Sequence, residues 1–337
     1  MSSSESEPLR PPPPKDQGGL LVVFGTLEIL LGVGCAAMAL FMLGAGIFGP
    51  LPGTNVTMLP LGALYFGVAL AFVWLGIGAI LAKRWARSLN LALSCLVLAA
   101  GVAGIFNVLL TGGMMGNAMQ QTMEMPKQMV IAMQLFMVGT AGCTYIIIPG
   151  IGILVFGNPN VRATCERRHP QPAWTDGCPF PVLVLSVACA LAPLSVIPLF
   201  LLITPAAPFF GVLIGGLAGA LLNVAAVLTM VYLAWASYRR VRAAWWLAVG
   251  MIIAGSLTIA ITVGRLGMLA LYQHASLPKE QMQMMRRMYI HNDGNFVVLA
   301  LVSGIAALGY LLYVRRYFFT ATSDPKESLA GDADYAP

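Results

Sequence analysis

Residues 83–112, KRWARSLNLALSCLVLAAGVAGIFNVLLTG, contain the pattern on which the whole chain is built. A basic turn that includes a tryptophan is followed by an apolar run, 88–112, with no charged residue. About 20 apolar residues in a helix are enough to cross the hydrocarbon core of a bilayer. Lipid offers the backbone no hydrogen-bond partners, so this run predicts a transmembrane helix.

The same arrangement recurs from one end of the chain to the other. Hydrophobic residues make up 58% of the 337 residues and charged residues 9%, whereas soluble domains carry about a quarter charged residues. Apolar stretches of sufficient length predict eight spans near 19–48, 60–82, 88–112, 129–156, 180–203, 208–236, 243–272 and 294–314. The predicted fold class is therefore all-α, a polytopic transmembrane helical bundle of about eight spans.

Positive charge is concentrated on one side of the predicted bundle. That side carries Arg10, Lys15, Lys83, Arg84, Arg87, Arg162, Arg167, Arg168, Arg239, Arg240, Arg242, Arg315, Arg316 and Lys326. The opposite loops carry Lys127, Lys279, Arg286 and Arg287. Short loops rich in Lys and Arg stay in the cytoplasm. We therefore predict a multi-pass protein of the cell inner (plasma) membrane, with both termini cytoplasmic and with no nucleic acid among its partners.

The predicted spans divide into two sets of four. Each set contains a helix pair, a basic turn, a third helix, a Met-rich outer segment and a fourth helix, which predicts two parallel repeats. The predicted segments are a disordered cytoplasmic tail, 1–18, a first membrane half, 19–157, a cytoplasmic linker, 158–179, a second membrane half, 180–314, and a cytoplasmic tail, 315–337. Small residues four apart in the sixth span, Gly215/Gly219 and Gly216/Ala220, predict close approach of a neighbouring helix.

Two short motifs carry a resemblance to other proteins. KRWAR, 83–87, opens one span, and FGNPNVRATCE, 156–166, closes the next. This pair resembles a pattern in bacterial multi-pass inner-membrane proteins of unassigned function, mainly over residues 60–168. The resemblance implies a helical inner-membrane protein and no particular chemistry. The second half departs from the pattern, because VRRYFFTATS stands where NPNVR would be expected.

Polar residues inside the predicted spans are the candidates for a functional site, because charge within a bilayer is costly and is usually paired or cavity-lining. One hypothesis is that Glu28 and Arg265 face a polar internal path. Asn107, Gln134 and Asn223 would line that path with them. The alternative, which we favour, is that Glu28 is protonated and hydrogen-bonded to a neighbouring helix while Arg265 extends to the outer surface.

The outer segments are rich in methionine. Thioether and imidazole groups together suit Cu(I), and the candidate ligands are His274, Met284, Met285, Met288 and His291. Met129, Met133 and Met137 nevertheless repeat at helical spacing, as in an apolar helix face broken near Pro126. We therefore favour apolar packing and predict no metal.

Other metal and enzyme chemistry has little support in the sequence. Cys165, His169 and Cys178 form only a partial zinc set, because zinc needs four ligands or three with water. Enzyme motifs such as HExxH, a phosphate-binding Gly loop and G-x-S-x-G are missing. We predict no enzyme activity and no cofactor.

Two functions stay open at this level. The first is an integral membrane protein that binds or passes a small molecule, lipid or ion between its two helical halves. The second is a structural or interaction subunit of a membrane complex, without transport or catalysis. The predicted partners are the lipid bilayer in either case, a small-molecule or lipid ligand in the first, and another membrane protein in the second.

Overall fold

The structure, a computed structural model, describes residues 15–48, 54–123, 126–202, 206–267, 269–270 and 293–319. Within these ranges the chain is almost entirely helical, as its composition predicts. The helices are α1 (Gly18–Phe48), α2 (Thr54–Ile80), α3 (Arg84–Met123), α4 (Lys127–Gly142), α5 (Ile148–Gly157), α6 (Pro159–Arg168), α7 (Phe180–Leu202), α8 (Gly216–Tyr238), α9 (Arg242–Leu266), α10 (Asp293–Val314) and α11 (Arg316–Phe319).

The long helices have the length and composition of membrane spans. Seven in the described ranges qualify, namely Gly18–Phe48, Met58–Ile80, Arg84–Val108, Gln128–Gly157, Gly216–Tyr238, Arg242–Leu266 and Gly294–Phe319. A shorter apolar helix, Phe180–Leu194, lies in α7. Large apolar side chains on the outside of the bundle are exposed, with Leu154 at 75% and Leu217 at 77%. Only lipid can solvate such a surface, so the prediction of an all-α multi-pass membrane bundle is confirmed.

Consecutive long helices pack as hairpins. The α1–α2 pair, α3 with α4 and α5, the α7–α8 pair and the α9–α10 pair make the most extensive contacts. The first four-helix set meets the second where α2 and α3 contact α7 and where α3 contacts α10. The end of the bundle that carries the basic turns after α2 and α8 is called the basic face below, and the opposite end the outer face.

The two basic turns close in the same way. Lys83 N donates to Gly78 O over 2.9 Å, and Val241 N donates to Ala236 O over 3.0 Å. The residue before each donor has a positive φ, 52° at Ala82 and 55° at Arg240. This bond, from the residue after a left-handed position back into the last helical turn, is a Schellman closure, which ends one helix and starts the next within a few residues.

The α1–α2 hairpin packs backbone against backbone. A Cβ on Gly25 would lie 2.5 Å from Gly76 O, and a Cβ on Gly32 would lie 3.0 Å from Ala69 O. Small residues recur every seven positions on both helices, in α1 at Gly25, Gly32, Ala39 and Gly46 and in α2 at Gly62, Ala69 and Gly76. A seven-residue repeat keeps one seam of each helix facing its partner along the whole hairpin. We call this contact the small-residue seam.

The second half has a core of larger side chains. Leu183, Leu233 and Trp245 are buried with Leu311 and Phe318 in one cluster. Two hydrogen bonds cross it: Trp245 Nε1 donates to Leu311 O over 2.8 Å, and Tyr310 Oη donates to Pro181 O over 2.6 Å. The indole N–H of Trp245 and the hydroxyl of Tyr310 thus each have a hydrogen-bond acceptor inside the protein, as buried donors require.

The predicted sixth span, 208–236, is wrong at its start. Residues 207–214 form two antiparallel strands, β1 (Ala207–Phe209) and β2 (Val212–Ile214), and α8 begins at Gly216. The turn between the strands has positive φ at both central residues, 42° at Phe210 and 88° at Gly211, which matches the twist of a hairpin. Gly215 precedes the helix, and a Cβ on Gly215 or Gly216 would meet nothing within 4 Å. The close approach predicted at these two glycines is therefore also wrong.

Other boundaries differ from the prediction for local reasons. Helix α3 runs to Met123, so the first Met-rich outer segment continues this helix. A separate helix, α4, begins directly after Pro126, in agreement with the predicted helix break near this residue. Helix α9 ends at Leu266, because Gly267 has a φ of 76°. The segment predicted as a linker, 158–179, contains α6 and a 3₁₀ turn, Trp174–Gly177.

Candidate functional site

Glu28 lies inside the first half, next to a polar residue of α3. It is about 15 Å into α1 from Gly18 at the usual rise per residue, and the side chain of Asn90 is its polar neighbour. Asn90 is 5% exposed. The Asn90 side chain lies close enough to the Glu28 carboxyl to donate a weak hydrogen bond to it. Glu28 Oε2 and Asn90 Nδ2 are nevertheless both buried and make no well-formed hydrogen bond within the described residues. The structure therefore places a carboxyl and an amide with unused hydrogen-bonding capacity within the membrane region.

A cluster of charged side chains lies on the basic face below Asn90. Arg84 Nε is 2.9 Å from Asp176 Oδ2, and Arg162 Nε is 2.8 Å from Glu166 Oε1. A small cavity of about 60 Å³ lies between these side chains, Arg87 and Cys165. Arg87 forms no ion pair with another described residue, and its Nε is buried without a partner.

Helix α6 and the 3₁₀ turn hold the acidic members of this cluster over the end of α3. Asn158 caps α6, since its side chain accepts a hydrogen bond from Asn160 N at 2.8 Å, and Pro159 occupies the first turn. His169 Nε2 contacts Leu81 O at 2.9 Å, which fixes the end of α6 to the turn after α2. The hydrogen bond from Arg162 lowers the pKa of Glu166, so Glu166 is ionised at neutral pH.

A cavity of a different chemistry lies within the second half. It measures about 680 Å³ and is bordered by α7, α8, α9, α10 and the β1 strand. Among the described residues its lining has no charged side chain, and the hydroxyl groups of these lining residues come from Ser256 and Ser303. Ser256 approaches α10 where Gly304 leaves room, because a Cβ on Gly304 would meet Ser256 Oγ.

The β-hairpin contributes to this cavity on the outer face. Ala206 and Pro208 are part of the lining. Gly211 N donates to Thr262 Oγ1 over 3.0 Å, and a Cβ on Gly211 would lie 2.8 Å from Arg265 Cδ. The hairpin is thus attached to the last turns of α9 by a buried hydrogen bond and a close contact that requires glycine.

A second apolar cavity, of about 510 Å³, lies in the first half between α3 and α4. It is bordered by a π-helical turn, Cys143–Ile147, which joins α4 to α5. Pro149 has no N–H to give to the carbonyl four residues before it, that of Tyr145. That carbonyl points at Gly101 of α3, where a side chain would collide with it. The extra residue of the π turn and the missing side chain at Gly101 shape this cavity together.

The five polar candidates from the sequence lie at separate places. Gln134 lines the first-half cavity. Asn107 and Asn223 are half-buried on α3 and α8, and Arg265 is exposed in the last turn of α9 beside Gly211. Glu28 faces Asn90, and neither larger cavity is lined by Glu28, Asn107, Asn223 or Arg265.

The partial zinc set is not assembled. Cys165 is buried in one apolar cluster and Cys178 in another, and His169 is engaged with a backbone carbonyl. Burial raises the pKa of Cys165 and raises that of Cys178 to about 11, so both are neutral thiols near neutral pH. No three His, Cys, Asp or Glu side chains in the described ranges could hold a metal ion together.

The copper candidates, His274, Met284, Met285, Met288 and His291, lie outside the described residues. Of the methionines with helical spacing, Met129 and Met137 are exposed on α4, while Met133 is half-buried and lines the first-half cavity with Met137.

Asn90 and Arg87 are the site residues that sequence reasoning missed. The available signal was their spacing, because Arg84, Arg87 and Asn90 follow one another at three-residue steps into an apolar run. No protein-family model matches the chain, and no curated protein or solved structure shows significant similarity to it.

Proposed function

We propose that this membrane protein binds an apolar or weakly polar molecule of lipid character in the cavity of its second half. The observation that carries the proposal is the chemistry of the lining, which is apolar over about 680 Å³ apart from two hydroxyl groups and one thiol. Small-molecule sites in proteins usually occupy about 300–1,000 Å³ and combine apolar walls with a few polar groups.

The lining favours a neutral ligand over an ion. A charged group in this cavity would lose its hydration without gaining a charged partner, since no Asp, Glu, Lys, Arg or His is found among the described lining residues. A single hydroxyl or carbonyl of the ligand, by contrast, has Ser256 and Ser303 as partners. The proposed site lies within the second half. The hypothesis from the sequence, a site between the two halves, is a different one and stays a prediction.

The test is to measure, by native mass spectrometry, the binding of hexadecanol and of palmitic acid to the purified protein. We expect hexadecanol to bind more tightly than palmitate, because the described lining residues offer the carboxylate no cation. Ala300→Phe places an aromatic ring in the cavity and should abolish binding. Ala306→Phe is the matched control, because Ala306 is exposed on the same helix and does not line the cavity. Equal binding to both variants would refute the proposal.

We further propose that the basic face is cytoplasmic, in the inner (plasma) membrane. The supporting observation is that the Arg-rich turns after α2 and α8 and the basic helix α6 share one end of the bundle. In a background without native cysteines, Trp85→Cys and Val241→Cys should react with a membrane-impermeant maleimide only after cell lysis. Lys127→Cys, on the outer face, should react in intact cells. The reverse pattern would overturn the orientation.

A further inference from the structure

We propose that Glu28 is a proton-binding carboxyl, and that it exchanges its proton with water at the basic face through a hydrated track along α3. The track is formed by the cavity at Arg84, followed by Arg87 and Asn90. In the exchange, a hydronium ion that enters from the basic face gives its proton to Glu28 Oε2, and the carboxylate becomes a neutral carboxyl. This inference concerns the first half and is independent of the ligand cavity in the second half.

The polar side chains of the track are aligned along one helix. Arg84, Arg87 and Asn90 occupy successive turns of α3, and residues three apart are neighbours on a helix surface. Asn90 is about 9 Å along the helix from Arg84. Since Asn90 is the polar neighbour of Glu28, these side chains connect the basic face with the carboxyl inside the bundle.

The same side chains have polar atoms that lack well-formed hydrogen bonds. Within the described residues, Arg87 Nε and Asn90 Nδ2 are buried donors and Glu28 Oε2 is a buried acceptor without such a bond, and the Asn90–Glu28 contact is at most a weak one. Buried polar atoms in proteins are nearly always satisfied, by protein groups or by ordered water. Three such atoms in sequence, two donors and one acceptor, are suited to hold a chain of water molecules.

The track is connected to solvent at the basic face. The cavity at the start of the track has a volume of about 60 Å³, and a buried water needs roughly 10–15 Å³ of such space. Its walls are partly open, because the side chain of Arg84 is 20% exposed and that of Asp176 28%. Glu166 and Arg162 on the same wall are 39% and 64% exposed. Water can therefore enter the track at this end.

The surrounding charges leave Glu28 without an ion pair. Helix α2, which packs along α1, contains no charged residue. Helix α6, which contacts the base of α1, contributes Arg162, Cys165, Glu166, Arg167 and Arg168, and Arg168 pairs with Asp16 just before α1. Helix α3, which contacts α6, contributes Arg84 and Arg87. Arg84 and Arg162 are held by Asp176 and Glu166. A carboxyl that is buried among apolar helices and has no paired cation is suited to carry a proton.

The test is infrared spectroscopy of the full-length protein in lipid nanodiscs, with exchange from H₂O into D₂O. We expect a protonated-carboxyl band that is lost in Glu28→Gln and that shifts on deuteration. Asn90→Leu should slow this shift about tenfold, the effect of a barrier higher by about 1.4 kcal/mol. Asn223→Leu, a matched change in the second half, should leave the rate unchanged. A missing Glu28-dependent band, or equal rates in Asn90→Leu and the parent protein, would overturn the proposal.

A second measurement needs no variant. Dicyclohexylcarbodiimide reacts with protonated carboxyl groups in apolar surroundings, and mass spectrometry of the digested protein locates the adduct. We expect an adduct on Glu28 whose yield falls as the pH is raised, because the ionised carboxylate does not react. If Glu28 remains unmodified at every pH, the proposal is refuted. This result does not depend on whether Glu28→Gln and Asn90→Leu fold.

Discussion

The α1–α2 hairpin and the α9–α10 hairpin show two ways of packing apolar helices in lipid. In α1–α2, small residues every seven positions bring the backbones together, as at Gly25 and Gly76. In α9–α10, Gly304 instead makes room for the side chain of Ser256, and larger side chains on both helices border the cavity of about 680 Å³. Without a hydrophobic driving force between helices in lipid, packing itself must hold them together. The first hairpin is therefore a rigid support, whereas the second leaves room for a ligand.

The largest expected effect comes from breaking the small-residue seam. Gly25→Ala would place a Cβ 2.5 Å from Gly76 O. Backbone cannot rotate away, so the helices must separate, and we expect a loss of about 3 kcal/mol in the free energy of unfolding. Thermal and denaturant unfolding in detergent would measure it.

Gly34→Ala is the control for the seam. Gly34 is on the same helix, but a Cβ there would meet nothing within 4 Å. Because alanine is the better helix former, this variant should be more stable by about 0.5–1 kcal/mol. If both variants lose stability equally, the seam does not hold the hairpin.

The attachment of the β-hairpin should give the next largest effect. Thr262→Val removes the acceptor of the 3.0 Å hydrogen bond from Gly211 N and leaves a buried donor unsatisfied. We expect a loss of about 2 kcal/mol and weaker hexadecanol binding, because the hairpin forms part of the cavity wall. Thr229→Val is the matched control, since Thr229 bonds only to its own helix at Ala225 O. Equal losses in the two variants would contradict this role of the hairpin.

Gly304→Ala tests whether the second hairpin is more adaptable than the first. A Cβ at this position meets the hydroxyl of Ser256 rather than backbone. Because Ser256 can change rotamer, we expect a loss of about 1 kcal/mol at most. The free energies of unfolding of Gly304→Ala and Gly25→Ala, measured under the same conditions, are then compared. A larger loss in Gly304→Ala than in Gly25→Ala would reverse the comparison.

The smallest expected effect concerns the Arg162–Glu166 pair in the cluster of charged side chains on the basic face. The hydrogen bond from Arg162 lowers the pKa of Glu166 below its ordinary value of 4.5. A lowered carboxyl pKa contributes stability above the unfolded-state pKa, and the contribution is lost as the pH falls through the folded-state value. The pair is partly exposed, so we expect about 0.5 kcal/mol. The melting temperature of Glu166→Gln should differ from that of the parent at neutral pH and converge with it in acid; a constant difference would argue against this contribution.

Helix packing could be predicted from the amino-acid sequence to a greater extent than the cavities could. The spans follow from composition, and the seven-residue spacing of Gly25, Gly32, Ala39 and Gly46 is a property of the chain itself. The β-hairpin could not be predicted, because an apolar run that includes Phe210 and Gly211 has the hydrophobicity of a span and lacks a strong turn signal. The large cavity depends on distances between helices far apart in sequence, which no local pattern encodes.

The π turn at Cys143–Ile147 has a consequence for length variation in this chain. It holds one residue more than an α-helical turn would, so the outer and inner parts of the fourth span are out of phase. Each helical residue turns the chain by about 100°. Because the wide turn takes up the extra residue, deletion of one residue here would give a plain α-helix and leave α4 facing as before. The same deletion between Gln134 and the π turn would rotate the start of α4 by that angle and carry Gln134 out of its cavity.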